Sequence, residues 1–340
     1  MKKILTPIMN AADIDILNPD KYDTEFFCGY LPSWWVEDYN DSLAYSLMGN
    51  LSTPINNRNG KGANVTSEEE LRQIVQKTKK YGTNLFLVIN AKYYPEYVYP
   101  ALKKYLDEVS SIGITRVIVS DLGLVQYLLE NYPAIKVSIS CLSQATNKMA
   151  VKFYTQFENV DRIVFPRHMS SSEVIEIADE YPNMEFEYFI FSNKCLYDDG
   201  YCRGVHEFTP ICKDSYYTDY YSKSNNPLSD EVIRFLRENE HCFREWTRNE
   251  IQSEQKGYCT AGFGCMACSL LQTNKYRNIV SVKISIRGHC IQERLKQVQM
   301  AHSVLESVES NAGIDTIQCI VSSCYGKKNL CKDRMSCMME

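Results

Sequence analysis

The chain has 340 residues, 44% of them hydrophobic, and a formal net charge of -5. This composition allows a large core, built as one large domain or two ordinary ones, and it excludes a small disulfide scaffold. The net negative charge disfavours bulk binding of nucleic acid. The tail carries a local basic run of Lys327, Lys328, Lys332 and Arg334, but such charge runs are more often solvated chain ends than binding patches.

The N-terminal segment predicts a cytoplasmic protein. Lys2 and Lys3 precede an apolar stretch, but Asp13 and Asp15 interrupt it before it reaches the length of a signal-peptide core. No apolar run approaches the roughly 18 residues that a membrane span requires. In a reducing compartment, clustered cysteines are more often metal ligands, cluster ligands or catalytic groups than disulfide partners.

Short apolar runs predict strands along the whole chain. Each run is rich in Val, Ile, Phe or Tyr, which is typical of strands buried on both faces. The predicted strands are Ile4 to Met9, Glu25 to Leu31, Leu85 to Asn90, Arg116 to Ser120, Lys136 to Cys141, Arg162 to Arg167, Glu185 to Phe191 and, after a long interval, Val280 to Ile286.

Amphipathic segments between these runs predict helices. The best marked begins at Thr66 and Ser67, whose hydroxyls can cap a helix with a glutamate three places on, and it ends at Gly82. The other predicted helices are Ala101 to Ser111, Leu122 to Glu130, Lys148 to Phe157, Ser172 to Glu180, Ser229 to Asn239 and Ile291 to Ser307.

Strands that alternate with helices indicate parallel βαβ units, so an α/β fold is predicted. An irregular (β/α)8 TIM-like barrel is favoured over an open doubly wound sheet, because no glycine-rich dinucleotide loop follows the first strand. Residues 1–191 then form the first seven strands, 192–278 a cysteine-rich insertion that carries cluster ligands, 279–310 the last strand and helix, and 311–340 a cysteine-rich tail.

The cysteines are concentrated in the second half of the chain. Of the 14 cysteines, only Cys28 and Cys141 precede residue 190, and both are interpreted as core positions on strands. In a barrel, the loops that follow the strands form the catalytic face. The insertion after the seventh strand would therefore bring its thiols to that face.

Two parts of the insertion are typical of metal or cluster ligands. Cys195 and Cys202 enclose a turn-like segment, and Cys212 follows after a further loop. The gap between Cys265 and Cys268 allows both sulfur atoms to reach one metal. Four such thiolates could hold structural zinc or an iron–sulfur cluster, and single cysteines could instead be buried free thiols.

A second group of thiols lies near the C-terminus. Cys319, Cys324, Cys331 and Cys337 could form a second cluster or supply a ligand to the first. The alternative is a set of exposed thiols, which soluble proteins usually avoid.

Motifs between Arg58 and Gly288 follow one another in an order and spacing that match a known family. They are Arg58 to Asn64, Ser120 to Gly123, Ser143 and Gln144 with Asn147, Asp161 to Val164, Glu187 and Phe189 with Cys195, Gly200 and Cys202, then Cys265 to Cys268, Val282 to Ile284, and Arg287 with Gly288. Together they resemble the collagenase-like peptidase family U32.

The resemblance implies a TIM barrel that carries a four-cysteine [4Fe–4S] cluster. It also implies oxygen-independent hydroxylation of ubiquinone precursors or RNA bases, with prephenate as the apparent oxygen donor. Carried over position by position, the ligands are Cys195, Cys202, Cys212 and either Cys265 or Cys268, with Cys268 preferred.

Polar residues at the predicted catalytic ends of strands are the candidates for substrate chemistry. An ion pair between Arg167 and Glu187 that closes the barrel mouth is the structural alternative for those two residues. The candidate catalytic residues are Glu187, Arg167, Gln144 and Asp121, with Arg58 and Asn147 as further positioning groups.

The leading hypothesis is an iron–sulfur enzyme, an oxidoreductase of the hydroxylase type. Its substrate is a small molecule, a peptide or RNA, with RNA less favoured by the net charge, and a protein partner or a second copy is a further prediction. A peptidase is the first alternative, but no histidine stands in a recognised nucleophile context, although His206 near Cys202 and Cys212 could act as a base or orient a ligand. A non-catalytic electron-transfer or partner subunit is the second alternative.

Overall fold

A computed structural model describes residues 1–39, 54–58, 61–194, 228–235 and 262–325, together with residues 331 and 337. In this part of the chain, eight parallel strands close into a barrel, which confirms the predicted fold class. The strands are β1 (Lys3–Pro7), β2 (Thr24–Cys28), β3 (Leu85–Ile89), β4 (Arg116–Val119), β5 (Lys136–Ile139), β6 (Val160–Val164), β7 (Glu185–Lys194), the short β8 (Gly262–Cys265) and β9 (Ile279–Ile284).

The barrel is closed because each of its eight parallel strands pairs with another parallel strand on both sides. Strands β1 to β7 pair in sequence order, and β9 lies between β7 and β1, so no parallel strand has a free edge. Each predicted strand is found within a few residues of its expected ends. The short strand β8 was not predicted, and it pairs antiparallel with the end of β7.

Helices cover the outside of the barrel. The predicted helices are confirmed in the described residues, and residues 230–235 form the described part of the helix expected at 229–239. None of the described helices is long and apolar enough to cross a membrane. The helices are α1 (Ala11–Leu17), α2 (Pro19–Tyr22), α3 (Ser33–Tyr39), α4 (Glu68–Lys80), α5 (Tyr99–Ile112), α6 (Leu122–Asn131), α7 (Lys148–Tyr154), α8 (Ser171–Glu180), α9 (Leu270–Thr273), α10 (Ile291–Glu309) and α11 (Ile314–Tyr325).

Two apolar clusters lie on opposite sides of the barrel wall. The larger contains Ile4, Phe26 and Leu87 and extends to the surrounding helices. The smaller contains the adjacent residues Leu5 and Phe27, with Phe86, Val88 and Ile118. Because successive side chains in a strand point to opposite faces, the smaller cluster fills part of the barrel interior.

The segment expected to be a plain cysteine-rich tail contains helix α11. Its buried residues Ile317 and Val321 belong to the larger core, and the helix packs against α10. At the N-terminus, helix α1 begins at a capping box in which Asn10 and Asp13 exchange side-chain and backbone hydrogen bonds. Helix α1 near the N-terminus and helix α11 near the C-terminus were therefore not predicted from periodicity.

A buried ion pair joins the first helix, α1, to the long helix α10. The Nη1 of Arg294 donates to Oδ2 of Asp13 at 2.7 Å and to the carbonyl of Pro7 at 3.0 Å. Asp13 also accepts a hydrogen bond from the backbone N–H of Met9. The pair thus fixes the loop after β1 against α10, where the chain returns to complete the barrel.

We expect Arg294→Met to lower the free energy of unfolding by about 3–5 kcal/mol, because Asp13 would keep its buried charge without a cation. Urea unfolding measured by circular dichroism tests this. The matched control is Arg72→Met, which removes an exposed ion pair with Glu68 and should cost under about 1 kcal/mol. Equal effects of the two substitutions would contradict the assignment.

Candidate active site

Polar side chains gather where the parallel strands end. Asn90 directly follows β3, Ser120 and Ser140 follow β4 and β5, and Arg167 and Arg287 follow β6 and β9 after short loops. Active sites of TIM barrels are built at this carboxyl-terminal end. The candidate active site is therefore the ring of residues at this end of the barrel.

Below this ring, Glu187 anchors an ionic network inside the barrel. Its carboxylate is fully buried and accepts hydrogen bonds from Lys283 Nζ at 2.8 Å and Ser281 Oγ at 2.6 Å. Arg162 Nη1 lies 3.3 Å from the same carboxylate and 2.8 Å from Oε2 of Glu25. Charged groups from four strands thus neutralise one another in the barrel interior.

The network favours the charged forms of Glu187 and Arg162. Burial opposes ionisation of Glu187, but Lys283 and Arg162 outweigh it, and the pKa of Glu187 lies below its ordinary value. Burial likewise opposes the charge of Arg162, while Glu25 and Glu187 raise its pKa above the ordinary value. A carboxylate held this firmly ionised by two cations is a structural counter-charge and a poor general base.

The predicted residues Asp121 and Asn147 both cap helices. Asp121 Oδ1 accepts from the N–H of Leu124 at 2.7 Å, and its Oδ2 accepts from the N–H of Tyr94 at 3.2 Å. Asn147 Oδ1 accepts from the N–H of Ala150 at 2.9 Å. Both side chains therefore fix the loops of the catalytic end.

Gln144 and Arg167 reach the same end in different ways. Gln144 follows β5 in the left-handed conformation, with φ at 53°, and its buried Nε2 has no hydrogen-bond partner among the described residues. The guanidinium of Arg167 lies 6.0 Å from the ring centre of Phe189. The ion pairs of Glu187 are formed with Arg162 and Lys283, deeper in the barrel than the mouth.

A second polar cluster was only partly predicted from the sequence. Arg287 Nη2 donates to Asn56 Oδ1 at 2.9 Å, and Asn56 Nδ2 donates to Asn64 Oδ1 at 2.8 Å. Asn64 Nδ2 donates to the carbonyl of Arg58 at 2.6 Å, and Arg58 Nη1 lies 3.4 Å from the carbonyl of Arg287. The cluster joins the loop after β9 to the loop before α4.

This cluster requires a glycine at the end of β2. A Cβ atom on Gly29 would lie 1.9 Å from Asn64 Oδ1 and 2.7 Å from Arg287 Nη1. Any larger residue would push the guanidinium and the amide aside. Gly29 is therefore the signal in the sequence that two polar side chains approach the backbone here.

The electrostatics of the cluster are dominated by cations. Burial and the neighbouring Arg58 lower the pKa of Arg287 to about 9. Burial and Arg167 lower the pKa of Arg58, and burial and Arg58 lower that of His289. Burial raises the pKa of the Cys28 thiol to about 12, so this neighbour of Arg287 stays neutral.

The described residues include only two of the predicted cluster ligands, Cys265 and Cys268. Cys195, Cys202 and Cys212 lie outside the described residues. Cys265 ends β8, opposite Phe191 on β7, and its Sγ accepts from the N–H of Ala267 at 3.5 Å. Cys268, the other candidate for the fourth ligand, lies one turn further on and is half-buried.

Two thiols of the tail approach this pair. Cys337 forms a backbone bridge with Cys265, and burial together with Cys331 and Cys337 raises the pKa of Cys268 to about 11. Within the described ranges, no three His, Cys, Asp or Glu side chains are arranged to share a metal ion.

The other two tail thiols lie on α11. Cys319 is exposed, and Cys324 is half-buried against the core. Cys331, by contrast, contacts Ser322 and the carbonyl of Gln318. A second cluster formed by all four tail cysteines stays a prediction.

Comparisons with known proteins agree on one family. The model of peptidase family U32 matches residues 52–317. The tRNA hydroxylation protein P of Escherichia coli is 27% identical over 41% of this chain, and that of Haemophilus influenzae is 27% identical over 38%. The uncharacterized protease MJ0090 of Methanocaldococcus jannaschii is 26% identical over 48%.

These matches cover part of each relative. They span 30% of the Escherichia coli protein, 27% of the Haemophilus influenzae protein and 39% of the archaeal protein. The solved structure of the U32 peptidase Mk0906 superposes with a TM-score of 0.42 and 16% identity, over 57% of this chain and 70% of that one.

We expect Glu187→Gln to lower the free energy of unfolding by about 3–5 kcal/mol at pH 7, since Lys283 would lose its buried counter-charge. The lowered pKa of Glu187 means that its ionised form stabilises the fold above its ordinary pKa of 4.5 and that this contribution is lost as the pH falls through the folded-state pKa.

Urea unfolding between pH 7 and pH 3 measures both effects. Wild type should lose stability on acidification more steeply than Glu187→Gln. The exposed Glu176→Gln should match wild type throughout and serves as the control. Parallel pH profiles for wild type and Glu187→Gln would show that the carboxylate is not the stabilising group.

Proposed function

Because the chain belongs to peptidase family U32, we propose that it carries out a hydroxylation-type modification of RNA. The observation that carries this proposal is the match to tRNA hydroxylation protein P from more than one bacterium. The chain spans about a third of the length of these relatives, and tRNA is proposed here as its substrate class.

The catalytic end of the barrel suits such a substrate. Arg58, Arg167 and Arg287 concentrate positive charge there, although the whole chain has a net charge of -5. RNA contact would therefore be local to the barrel end. The basic run of Lys327 to Arg334 lies outside the described residues and is a further candidate contact.

The residues in the barrel would position the substrate and exclude water. The ionic network of Glu25, Arg162, Glu187 and Lys283 forms a rigid floor below the site. Gln144 Nε2 supplies a hydrogen-bond donor with no other described partner, which suits a carbonyl or ring nitrogen of a base. Preorganised donors of this kind cost no reorganisation when the substrate reacts.

The proposal includes a [4Fe–4S] cluster held by Cys195, Cys202, Cys212 and one of Cys268 or Cys265, with zinc as the alternative metal. A bound cluster would supply the redox or electrophilic chemistry of the reaction. The described pair fits a soft metal, because its two thiols lie one turn apart and Cys265 Sγ already accepts an N–H, although a metal would have to offset the burial that raises both thiol pKa values. Cys337 beside Cys265 is a further thiol available to the same centre.

The RNA proposal is tested by expressing the chain in a host that lacks tRNA hydroxylation and analysing the tRNA nucleosides by mass spectrometry. Wild type should give a nucleoside heavier by one oxygen atom, and Cys195→Ser and Cys268→Ser should abolish it. The exposed Cys290→Ser should retain it and is the control. Unmodified tRNA together with cleavage of peptide substrates that survives Cys195→Ser would favour a peptidase instead.

The cofactor proposal has its own test. After anaerobic purification, wild type should contain about four irons and four acid-labile sulfides per chain and show the absorbance of an iron–sulfur cluster. Cys195→Ser should lose most of the iron. A protein that holds only stoichiometric zinc would contradict this part of the proposal and leave the RNA assay to decide the substrate.

A further inference from the structure

Two arginines at the catalytic end differ from the other arginines buried in the barrel. Arg162 contacts Glu25 and Glu187, and Arg294 contacts Asp13. Arg287 is as deeply buried, with 6% of its surface exposed, yet it contacts no carboxylate in the described part of the chain. Its Nη1 has no hydrogen-bond partner there either.

The second unpaired cation is Arg58. Its Nη1 lies 3.4 Å from the carbonyl of Arg287, and none of the described carboxylates forms an ion pair with it. The thiol of Cys28 next to Arg287 stays neutral because burial raises its pKa. The two guanidinium groups are therefore close neighbours, with Arg167 as a further cation nearby, and no described carboxylate pairs with either of them.

Such an arrangement is costly for an isolated protein. A buried charge without a counter-ion loses its hydration, and two like charges repel each other in a region of low dielectric. A negatively charged ligand would offset both costs at once. Guanidinium groups are well shaped for this purpose, since their N–H groups match the oxygen atoms of carboxylates and phosphates in pairs.

We propose that Arg58 and Arg287 form a binding site for a small oxyanion, a carboxylate or phosphate group of a ligand that enters the catalytic end of the barrel. Asn56 positions Arg287 through the 2.9 Å hydrogen bond to Nη2, which leaves Nη1 for the ligand. Gly29 makes the room that the guanidinium occupies.

The depth of the site defines the class of ligand. Asn56 is fully buried and Asn64 is 4% exposed, so Arg287 lies too deep for the backbone of a polymer, and the proposed ligand is the terminal group of a small molecule. The oxyanion site does not rest on the proposed RNA modification, because binding of an anion is measured without any turnover.

The test is calorimetric titration of the full-length wild type with malonate, inorganic phosphate and chloride at equal ionic strength. We expect saturable binding of malonate or phosphate and none of chloride, and the better ligand identifies carboxylate or phosphate as the chemistry of the site. Arg58→Gln and Arg287→Lys should each weaken this binding by about tenfold or more. Arg72→Gln, at an exposed arginine of α4, should bind like wild type.

The design keeps the proposal falsifiable if one variant fails to fold. Arg58 is only half-buried, so Arg58→Gln carries the test when Arg287→Lys is unstable. The proposal is overturned if neither anion saturates wild type, or if the folded variants bind as tightly as wild type. Saturable binding of a short single-stranded RNA without binding of either small anion would also overturn it, in favour of a polymer phosphate site.

Discussion

The buried ionic network of Glu25, Arg162, Glu187 and Lys283 constrains the rest of the barrel. Its charges come from β2, β6, β7 and β9, and each is stable inside the protein only while its partners are in contact. A shift of one strand by a single residue would turn a charged side chain to the opposite face of the sheet. The network therefore fixes the register around the closed barrel, and the catalytic end inherits that geometry.

The elements of the barrel could be predicted because apolar runs and helix caps are local signals. The depth of a residue along a strand is not local, which is why Glu187 was expected at the mouth and lies in the interior network. In the sequence, charged residues within apolar runs, such as Glu25 and Lys283, indicate that buried charges must pair inside the barrel. The contact of Arg287 with Asn56 was hidden, because it joins segments far apart in the sequence.

The cysteines likewise show that spacing in the sequence does not predict long-range contacts. The spacing of Cys265 and Cys268 predicted a pair that shares one metal, which stays a prediction, and spacing alone carried no information on Cys337. Helix α11, which precedes Cys337 in the chain, packs against α10 and against the turn Ala267–Ser269 that contains Cys268. Cysteines far apart in the sequence thus become neighbours through long-range contacts that their spacing does not predict.

The pairing of β7 with β8 limits how strongly the length of residues 195–261 affects the stability of the barrel. Residues 195–261 leave the barrel after Lys194 and return at Gly262, and these two residues are register partners. Both ends of this segment are therefore held at neighbouring points, and the entropic cost of joining fixed points grows only slowly with chain length, by about 0.6 kcal/mol for each doubling. The free energy of folding of the barrel should therefore depend only weakly on the length of this segment.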